Sequence, residues 1–476
     1  MILQKYIIVY AYLLLVLGGA FAISKIFKNN EKSRNLIHIS AGLGWIIYRL
    51  LFPATIHPII ISASFVVLTI MTTILKVDFV ERKDGSLGTI FYTLAMFVMS
   101  VFGYQNPFLF DVFGIVIICL SCGDAAANIV GTAFGKTKIY KKKSLEGSIA
   151  CVIVAGVAMM SIRLIFDIEI SIGTIFILAI LCSITELYSG TYDNVAIPTV
   201  LYVTSYILLK SGTDSRFWTS LCIGIAMWIF SLSLKLLSPS AAYMLFCMIS
   251  VLYYFGGWKA YLVLMMIFIV VIIVEKSLGK RTEKIFYSIN KEHGVRNEKQ
   301  LISNCLVAVI LICLSGITKN ELFVVAYVAT LAETIGDSVA SDVGVLSKAN
   351  PIDICSFKPV PRGISGGVSS IGTTCSIMVC IYSAIIYFWV YKQSLLNAVI
   401  VAVSAFLGIL LDSVLGSKVQ VQYKCKICGK LTEKECHCGE KTSYEKGMYF
   451  FDNSRINLIC NIFSCGISCI VMALMG

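Results

Sequence analysis

The sequence predicts an all-α polytopic integral membrane protein: about 14 to 16 transmembrane helices in two fused helical halves, with one small cytoplasmic four-cysteine loop. Of its 476 residues 58% are hydrophobic and only 14% are charged, which excludes ordinary soluble usage. The mean hydropathy is +0.86. Uncharged stretches such as residues 7–24 (IIVYAYLLLVLGGAFAIS) and 456–476 (INLICNIFSCGISCIVMALMG) have the length to cross about 30 Å of hydrocarbon as helices.

Taken in order, spans are expected near 6–24, 35–49, 50–75, 85–110, 112–135, 149–166, 170–187 and 194–210. The second half offers 217–234, 236–255, 260–275, 300–318, 322–335, 363–391, 393–411 and 456–476. The first run has one lysine before it and no small-x-small cleavage site, so it reads as a retained span. Basic residues cluster in 25–34, 76–84, 136–148, 276–299 and 412–455, while an alternate loop such as FDIEI (166–170) is acidic. With this map every strongly basic loop falls on one side. The positive-inside rule makes that side cytoplasmic, leaves both termini outside, and places any active site at the cytoplasmic face. It also accounts for the net charge of +12, so no nucleic-acid partner is expected. SGTDSR (211–216) separates a domain at 1–210 from one at 217–476, the latter including a cysteine-rich loop at 412–455.

Each half carries one unusual polar constellation. ICLSCGDAAANIVGTAFGKTKIYKKKSLEGS (118–148) starts as a span, then places Asp124 and Asn128 one helical turn apart, ahead of Gly131, Lys136, Lys143, Ser144, Glu146 and Gly147. In the second half Gly336, Asp337, Ala340, Val343 and Gly344 repeat the spacing of Gly123, Asp124, Ala127, Val130 and Gly131. A lysine and a Gly/Ser turn follow in both. Carboxylates can hold Mg2+, lysine can neutralise phosphate charge, and amides around glycines can cradle phosphate oxygens. The same residues also fit buried helix packing or ion coupling in a transporter. KKKSLEGS fits a lipid-facing anchor followed by a helix cap at Ser144 as well. Neither stretch is a P-loop.

Acidic residues recur at span ends. Glu186 closes one span and Asp193-Asn194 open the next, and Asp412 and Gln420 stand likewise around AFLGILLDSVLGSKVQ. Such helix ends can converge on one metal-phosphate centre, or they can be caps that need no ligand.

Residues 1–210 resemble the dolichol kinase and phytol kinase family through RNLIHISAG (34–42), GSLGTIFY (85–92), GDAAANIVGTAFGK (123–136), KSLEGS (143–148) and ELYSGTYDNVAIP (186–198). The resemblance implies transfer of phosphate from a nucleotide, commonly CTP, to the hydroxyl of a long isoprenoid alcohol. It places Asp124, Lys136, Lys143, Ser144, Glu146 and Gly147 at the nucleotide-metal site, with His38, Glu186, Asp193 and Asn194 nearby. Arg34-Asn35 stands where that family usually has arginine-lysine. From about 218 to the end the chain resembles the phytyl-phosphate kinase family, through VRNEKQLISN (295–304), AETIGDSVASDVG (332–344), SFKPVPRGISGGVSSIGT (356–373), GILLDSVLGSKVQVQYKC (408–425) and FDNSRINLIC (451–460). This implies phosphorylation of an isoprenoid monophosphate. The implied site residues are Arg296, Asn304, Glu333, Asp337, Asp342, Lys358, Asp412, Gln420 and Asn453, with Arg362, Gly363, Gly366, Gly367 and Ser369 as phosphate binders and Lys358 as the leading cation. Together the resemblances imply a bifunctional enzyme using Mg2+, a nucleoside triphosphate, membrane lipid and isoprenoid substrates. A lipid or organic-phosphate transporter or scramblase is the alternative.

Most of the 18 cysteines lie in apolar runs, where free cysteine packs as a small hydrophobe. CKICGKLTEKECHCG (425–439) is different: Cys425, Cys428, Cys436 and Cys438 follow C-x2-C-x7-C-x-C spacing on a polar loop. That spacing suits a four-thiolate structural Zn2+ staple, with redox cysteines or a set including His437 as alternatives.

Overall fold

The structure, a computed structural model, describes residues 2–27, 30–75, 88–289 and 295–475. The expected basic loop 76–84, the start of GSLGTIFY and residues 290–294 of the loop 276–299 lie outside the described residues. The chain divides into two compact units, Met1–Ser215 and Arg216–Gly476.

The first unit contains α1 (Ile2–Phe27), α2 (Asn30–Leu51), α3 (His57–Ile74), α4 (Gly88–Phe102), α5 (Pro107–Phe134), α6 (Leu145–Phe166), α7 (Ile172–Ser189) and α8 (Asp193–Ser211). A short antiparallel pair, β1 (Lys138–Tyr140) and β2 (Lys143–Ser144), joins α5 to α6. Helix α5 is the axis: Val112 to Leu120 are all buried, in one core with Trp45, Tyr92 and Met96. Gly114 leaves room for the Trp45 indole, and Trp45 Nε1 donates to the Phe110 carbonyl at 3.1 Å. Helix α1 keeps Leu14 and Leu15 70% and 76% exposed, a face that only hydrocarbon accommodates well. Where one span was expected over 85–110, α4 ends at Phe102 and α5 begins at Pro107. The Asn106 side chain accepts from the Leu109 amide at 3.1 Å, and proline suits the first helical position because its missing N–H has no partner there.

The second unit contains α9 (Ser215–Ser233), α10 (Pro239–Ile289), α11 (Glu298–Thr318), α12 (Leu322–Gly344), α13 (Ser370–Tyr391), α14 (Leu395–Lys418) and α15 (Asn453–Met475). Helix α10 breaks at Gly257, whose φ of 67° favours glycine. Helix α12 is the buried axis here: Val325 to Ala329 are inaccessible, and Tyr327 Oη donates to the Ala260 carbonyl at 2.8 Å. Two strands, β3 (Ile352–Asp353) and β4 (Gly367–Val368), pair antiparallel between α12 and α13. Between α14 and α15 lie β5 (Gln422–Lys424), β6 (Leu431–Thr432), β7 (Cys436–His437), β8 (Glu440–Lys441) and β9 (Ser443–Lys446). Their sheet order is β6-β5-β9, with β7 and β8 as a separate hairpin.

Twelve described helices are long and apolar enough to cross a membrane, and α4 is a shorter apolar helix. The expected spans 322–335 and 393–411 continue to Gly344 and Lys418, so Asp337, Asp342 and Asp412 are helical residues rather than loop residues. Their polarity faces other protein elements, which lets the helix run on where apolar content falls. Conversely, 363–369 is not helical: Gly363 and Gly366 have φ of 80° and 86°, and α13 starts at Ser370.

Candidate active sites

Each unit builds the same corner. An aspartate-bearing buried helix, α5 or α12, leads through a two-stranded hairpin into α6 or α13. Ser144 caps α6, accepting from the Gly147 amide at 3.3 Å; Ser369 caps α13, accepting from the Gly372 amide at 3.2 Å. A methyl group on Gly147 would come within 2.7 Å of the Ala127 carbonyl oxygen and 3.2 Å of Gly131 Cα. At Gly372 the corresponding distances are 2.8 Å to Ala340 O and 3.4 Å to Gly344 Cα. Two backbones therefore meet with no side chain between them. This brings the N-terminus of α6 or α13, with its positive dipole end, beside the aspartate-bearing helix.

In the first unit Lys143, on β2, forms an ion pair with Glu186, which is buried on α7. Burial pulls the Lys143 ammonium down, but the carboxylates of Glu186, Asp124 and Asp193 outweigh it and leave its pKa raised. Four elements thus contribute charge to one place: α5, β2, α7 and the start of α8. His38, on α2, joins from a fifth, its Nε2 2.9 Å from Asn194 Oδ1. Asn194 Nδ2 donates to the Gly88 carbonyl at 3.1 Å, and Tyr92 Oη donates to the His38 carbonyl at 3.2 Å. His38 Nδ1 is buried without a hydrogen-bond partner among the described residues. Asp124 and Asn128 are half-buried on α5, and Lys136 is exposed just beyond it. Glu146 holds that connection by accepting from the Thr137 amide at 3.1 Å.

In the second unit a cleft of about 90 Å³ is bordered by Asp337 of α12, Asp412 of α14, Gly363 to Ser369 and Asn453. Gly372 borders it too, so the glycine seam forms its floor. Glu333 lies one turn before Asp337, 1% exposed, within electrostatic reach of Asp337 and Asp412. Gly408 leaves the space for it: a Cβ there would meet Glu333 Cγ at 2.6 Å. The cleft shares Asp337, Gly363, Ser365 and Asn453 with a cavity of about 800 Å³. The polar lining of the cavity includes Arg296, Asn304, Asp342 and Gln420, whose Nε2 is buried without a hydrogen-bond partner among the described residues. Its lining also includes apolar side chains such as Phe230, Met248, Leu252 and Phe268. An amphiphile with a charged head and a hydrocarbon tail matches that mixed lining.

Several of the expected residues lie away from these two cavities or take other partners. Lys358 is exposed and borders neither cavity; its carbonyl accepts from the Asp353 amide at 2.9 Å within the β3–β4 connection. Arg362 turns to the Lys348 carbonyl at 2.7 Å. Among the described residues the cations that border the large cavity are Lys235, Arg296, Lys299 and Lys434, and Lys299 pairs with Asp452 at 2.5 Å. Gly147 lies in the backbone contact between α5 and α6. In the cysteine-rich loop the ligand atoms of Cys425, Cys428, Cys438 and His437 lie within 4.8 Å of one another, and Cys436 is not in that group. Cys436 precedes His437 on β7, and neighbouring strand residues point to opposite faces.

Sequence reasoning missed Asn457 and Asn461. Asn457 Nδ2 donates to Asn304 Oδ1 at 3.2 Å, and Asn461 Oδ1 accepts from Thr334 Oγ1 at 3.0 Å. The signal was available, since both are amides one turn apart within an apolar span.

Comparison with known proteins agrees with a chain built of two parts. Residues 1–190 match the Cytidylyltransferase family. Residues 222–465, more than half of the chain, match the family described as Integral membrane protein DUF92. The chain belongs to the DUF92 family. It is thus a DUF92 protein whose residues 1–190 match the Cytidylyltransferase family. It is 29% identical over 196 residues to Protein PGR of Arabidopsis thaliana, covering 36% of this chain and 66% of that protein. An uncharacterized membrane protein of Synechocystis is 28% identical over 167 residues, 34% of this chain and 64% of the relative. Phytol kinase 1, chloroplastic, of Arabidopsis thaliana is 25% identical over 230 residues, 40% of this chain and 74% of that kinase. The chain therefore spans just under two thirds of the first two of these relatives. No solved structure matches it.

Proposed function

We propose that this DUF92 protein is a bifunctional isoprenoid lipid kinase. The first unit would convert a polyprenol, a phytol- or dolichol-like alcohol, to its monophosphate, and the second would convert the monophosphate to the diphosphate. CTP or another nucleoside triphosphate is the donor, and both sites work at the cytoplasmic membrane face. One observation carries the reading: the 800 Å³ cavity is lined by apolar side chains together with charged ones, and it shares Asp337, Gly363, Ser365 and Asn453 with the cleft bordered by Asp412 and the Gly363–Gly367 loop. Similarity to a phytol kinase supports the substrate class.

In the first step the alcohol oxygen attacks the terminal phosphorus of the nucleotide, the bridging P–O bond breaks, and the nucleoside diphosphate leaves. The hydroxyl proton passes to a carboxylate, for which half-buried Asp124 is our candidate. Lys143, held by Glu186, faces the phosphate charge. In the second step the acceptor is already anionic and needs no base, so positioning and charge neutralisation dominate. Arg296 and Lys299 serve the acceptor phosphate, while Gly366, Gly367 and the capped start of α13 receive the donor phosphates. Asp337 and Asp412 are hard oxygen donors on two facing helices, and Asp124 with Asp193 offers the same chemistry in the first unit; both sets suit Mg2+. Bound there, Mg2+ would neutralise charge on the transferring phosphate.

The test uses purified protein with Mg2+, labelled CTP and polyprenols of several lengths, separating monophosphate from diphosphate. Asp124→Asn should lower monophosphate formation by about 100-fold or more and leave conversion of added monophosphate intact. Asp337→Asn should accumulate monophosphate. Absence of product with every nucleotide, together with substrate flux in liposomes, would replace the kinase reading with transport; equal loss of both steps in either variant would argue for one shared centre.

A further inference from the structure

The cysteine-rich segment contains two tight turns that aim sulfur atoms at one point. In the first, the Cys428 amide donates to Cys425 Sγ at 3.4 Å, and the Gly429 amide closes the turn on the Cys425 carbonyl at 3.0 Å with φ of 69° at Gly429. The second is the β7–β8 hairpin, where Cys438 and Gly439 take φ of 52° and 83°. Cys425 and His437 are buried, 3% and 8% exposed, and His437 Nδ1 lies 3.6 Å from Cys428 Sγ. Tetrahedral zinc with Zn–S bonds of about 2.3 Å needs sulfur atoms about 3.8 Å apart, so a set spanning no more than 4.8 Å closes around one ion with little movement. Three thiolates and an imidazole fill four positions, which marks a structural rather than a catalytic ion.

The segment also touches the second site. Glu433, directly after β6, accepts a hydrogen bond from Ser365 Oγ inside the glycine-rich loop. Lys446, at the end of β9, donates to the Ser417 carbonyl at 3.2 Å, and Ser417 backs Gly366 so tightly that a Cβ on Gly366 would come within 2.5 Å of it. Leu431 to Lys434 form part of the large cavity's wall. Those wall residues lie between the two turns in sequence, so an ion joining the turns fixes the wall.

We propose that Cys425, Cys428, Cys438 and His437 hold a structural Zn2+, and that this ion orders the Gly363–Gly367 loop through the Glu433–Ser365 contact. Zinc content is to be measured on the full chain purified anaerobically in detergent, and hydrogen exchange followed across residues 363–367. Wild type and Cys436→Ser should each carry about one zinc per chain, and Cys428→Ser and His437→Ala less than about a tenth of that. Chelation should speed exchange in the loop by about tenfold, and added Zn2+ should reverse it. Glu433→Ala should keep its zinc while its loop exchanges as fast as that of the chelated wild type. Metal-free wild type, a wild-type mass lower by one disulfide, or equal loss of zinc in Cys436→Ser would overturn the ligand set. Loop exchange unchanged by chelation would overturn the coupling. None of these readings depends on phosphoryl transfer.

Discussion

Gly147 and Gly372 show how a single missing methyl group organises a site. Each lies in the first turn of a helix whose backbone meets an aspartate-bearing helix, at distances that no Cβ tolerates. Gly147→Ala and Gly372→Ala are therefore each expected to cost about 1–3 kcal/mol, read as a lower unfolding midpoint in detergent. Gly466, in α15, has nothing within 4 Å of an added Cβ, so Gly466→Ala should leave the midpoint unchanged or slightly higher. Equal effects at all three positions would dismiss the seam. Lys143 is a second sensitive residue: Lys143→Met would leave Glu186 buried without its cation, and breaking such a pair costs about 3–5 kcal/mol where burial is complete and less here, where Lys143 remains partly exposed. At this scale the sequence was informative about residue type and silent about partners. The Asp124 and Asp337 repeat was legible from spacing alone, but the preference for His437 over Cys436 depends on which face of β7 each occupies.

Among elements, the two hairpins matter most, because each sets the start of a capped helix at a candidate phosphate site. The β3–β4 hairpin is held by Asp353, whose Oδ1 accepts from the Ser356 amide at 2.7 Å, Ser356 Oγ at 2.9 Å and the Cys355 amide at 3.1 Å. A hydrogen bond from Ser417, followed by those from Ser356 and Cys355, holds its carboxyl down at about 2. Because the folded value lies below the unfolded one, the stabilisation is complete above about pH 4 and is lost as pH falls through about 2. An acid protease should accordingly cut residues 352–368 of the wild type only near pH 2, and cut Asp353→Ala already at pH 4 to 5; identical profiles would remove Asp353 from this role. Helix existence was legible from apolar runs, whereas helix ends often were not. Helices α12 and α14 outlast their apolar stretches because Asp337, Asp342, Asp412 and Ser413 line internal polar space, so composition changes without a change of conformation. The start of α5 was legible in principle from Asn106-Pro107, a cap followed by a first-turn proline.

At the level of the whole molecule, each unit has a hydrophobic core of its own, one around α5 and one around α12. Residues 1–215 and 216–476 produced as separate chains should each give a monodisperse, helical species in detergent, judged by size-exclusion chromatography and circular dichroism. If the proposed function holds, the second should phosphorylate added isoprenoid monophosphate; aggregation of either piece would refute the independence of the cores. The membrane class was legible from composition because a lipid-embedded surface needs apolar residues outside as well as in. The large cavity was not, since α9, α10, α11, α12, the glycine-rich loop and the cysteine-rich segment all contribute to it from distant positions in the chain.

The glycine seam has a mechanical consequence as well. With bare backbones in contact between Ala340–Gly344 and Gly372, α12 and α13 have no side chains there to re-pack and no slack through which to slide. Any opening or closing of the second site must be taken up by residues 345–369 and the segment after α14, while Asp337 and the first turn of α13 keep a fixed separation. The seam acts as a built-in gauge block: the loops around the cleft can move, but the distance across the anchor cannot.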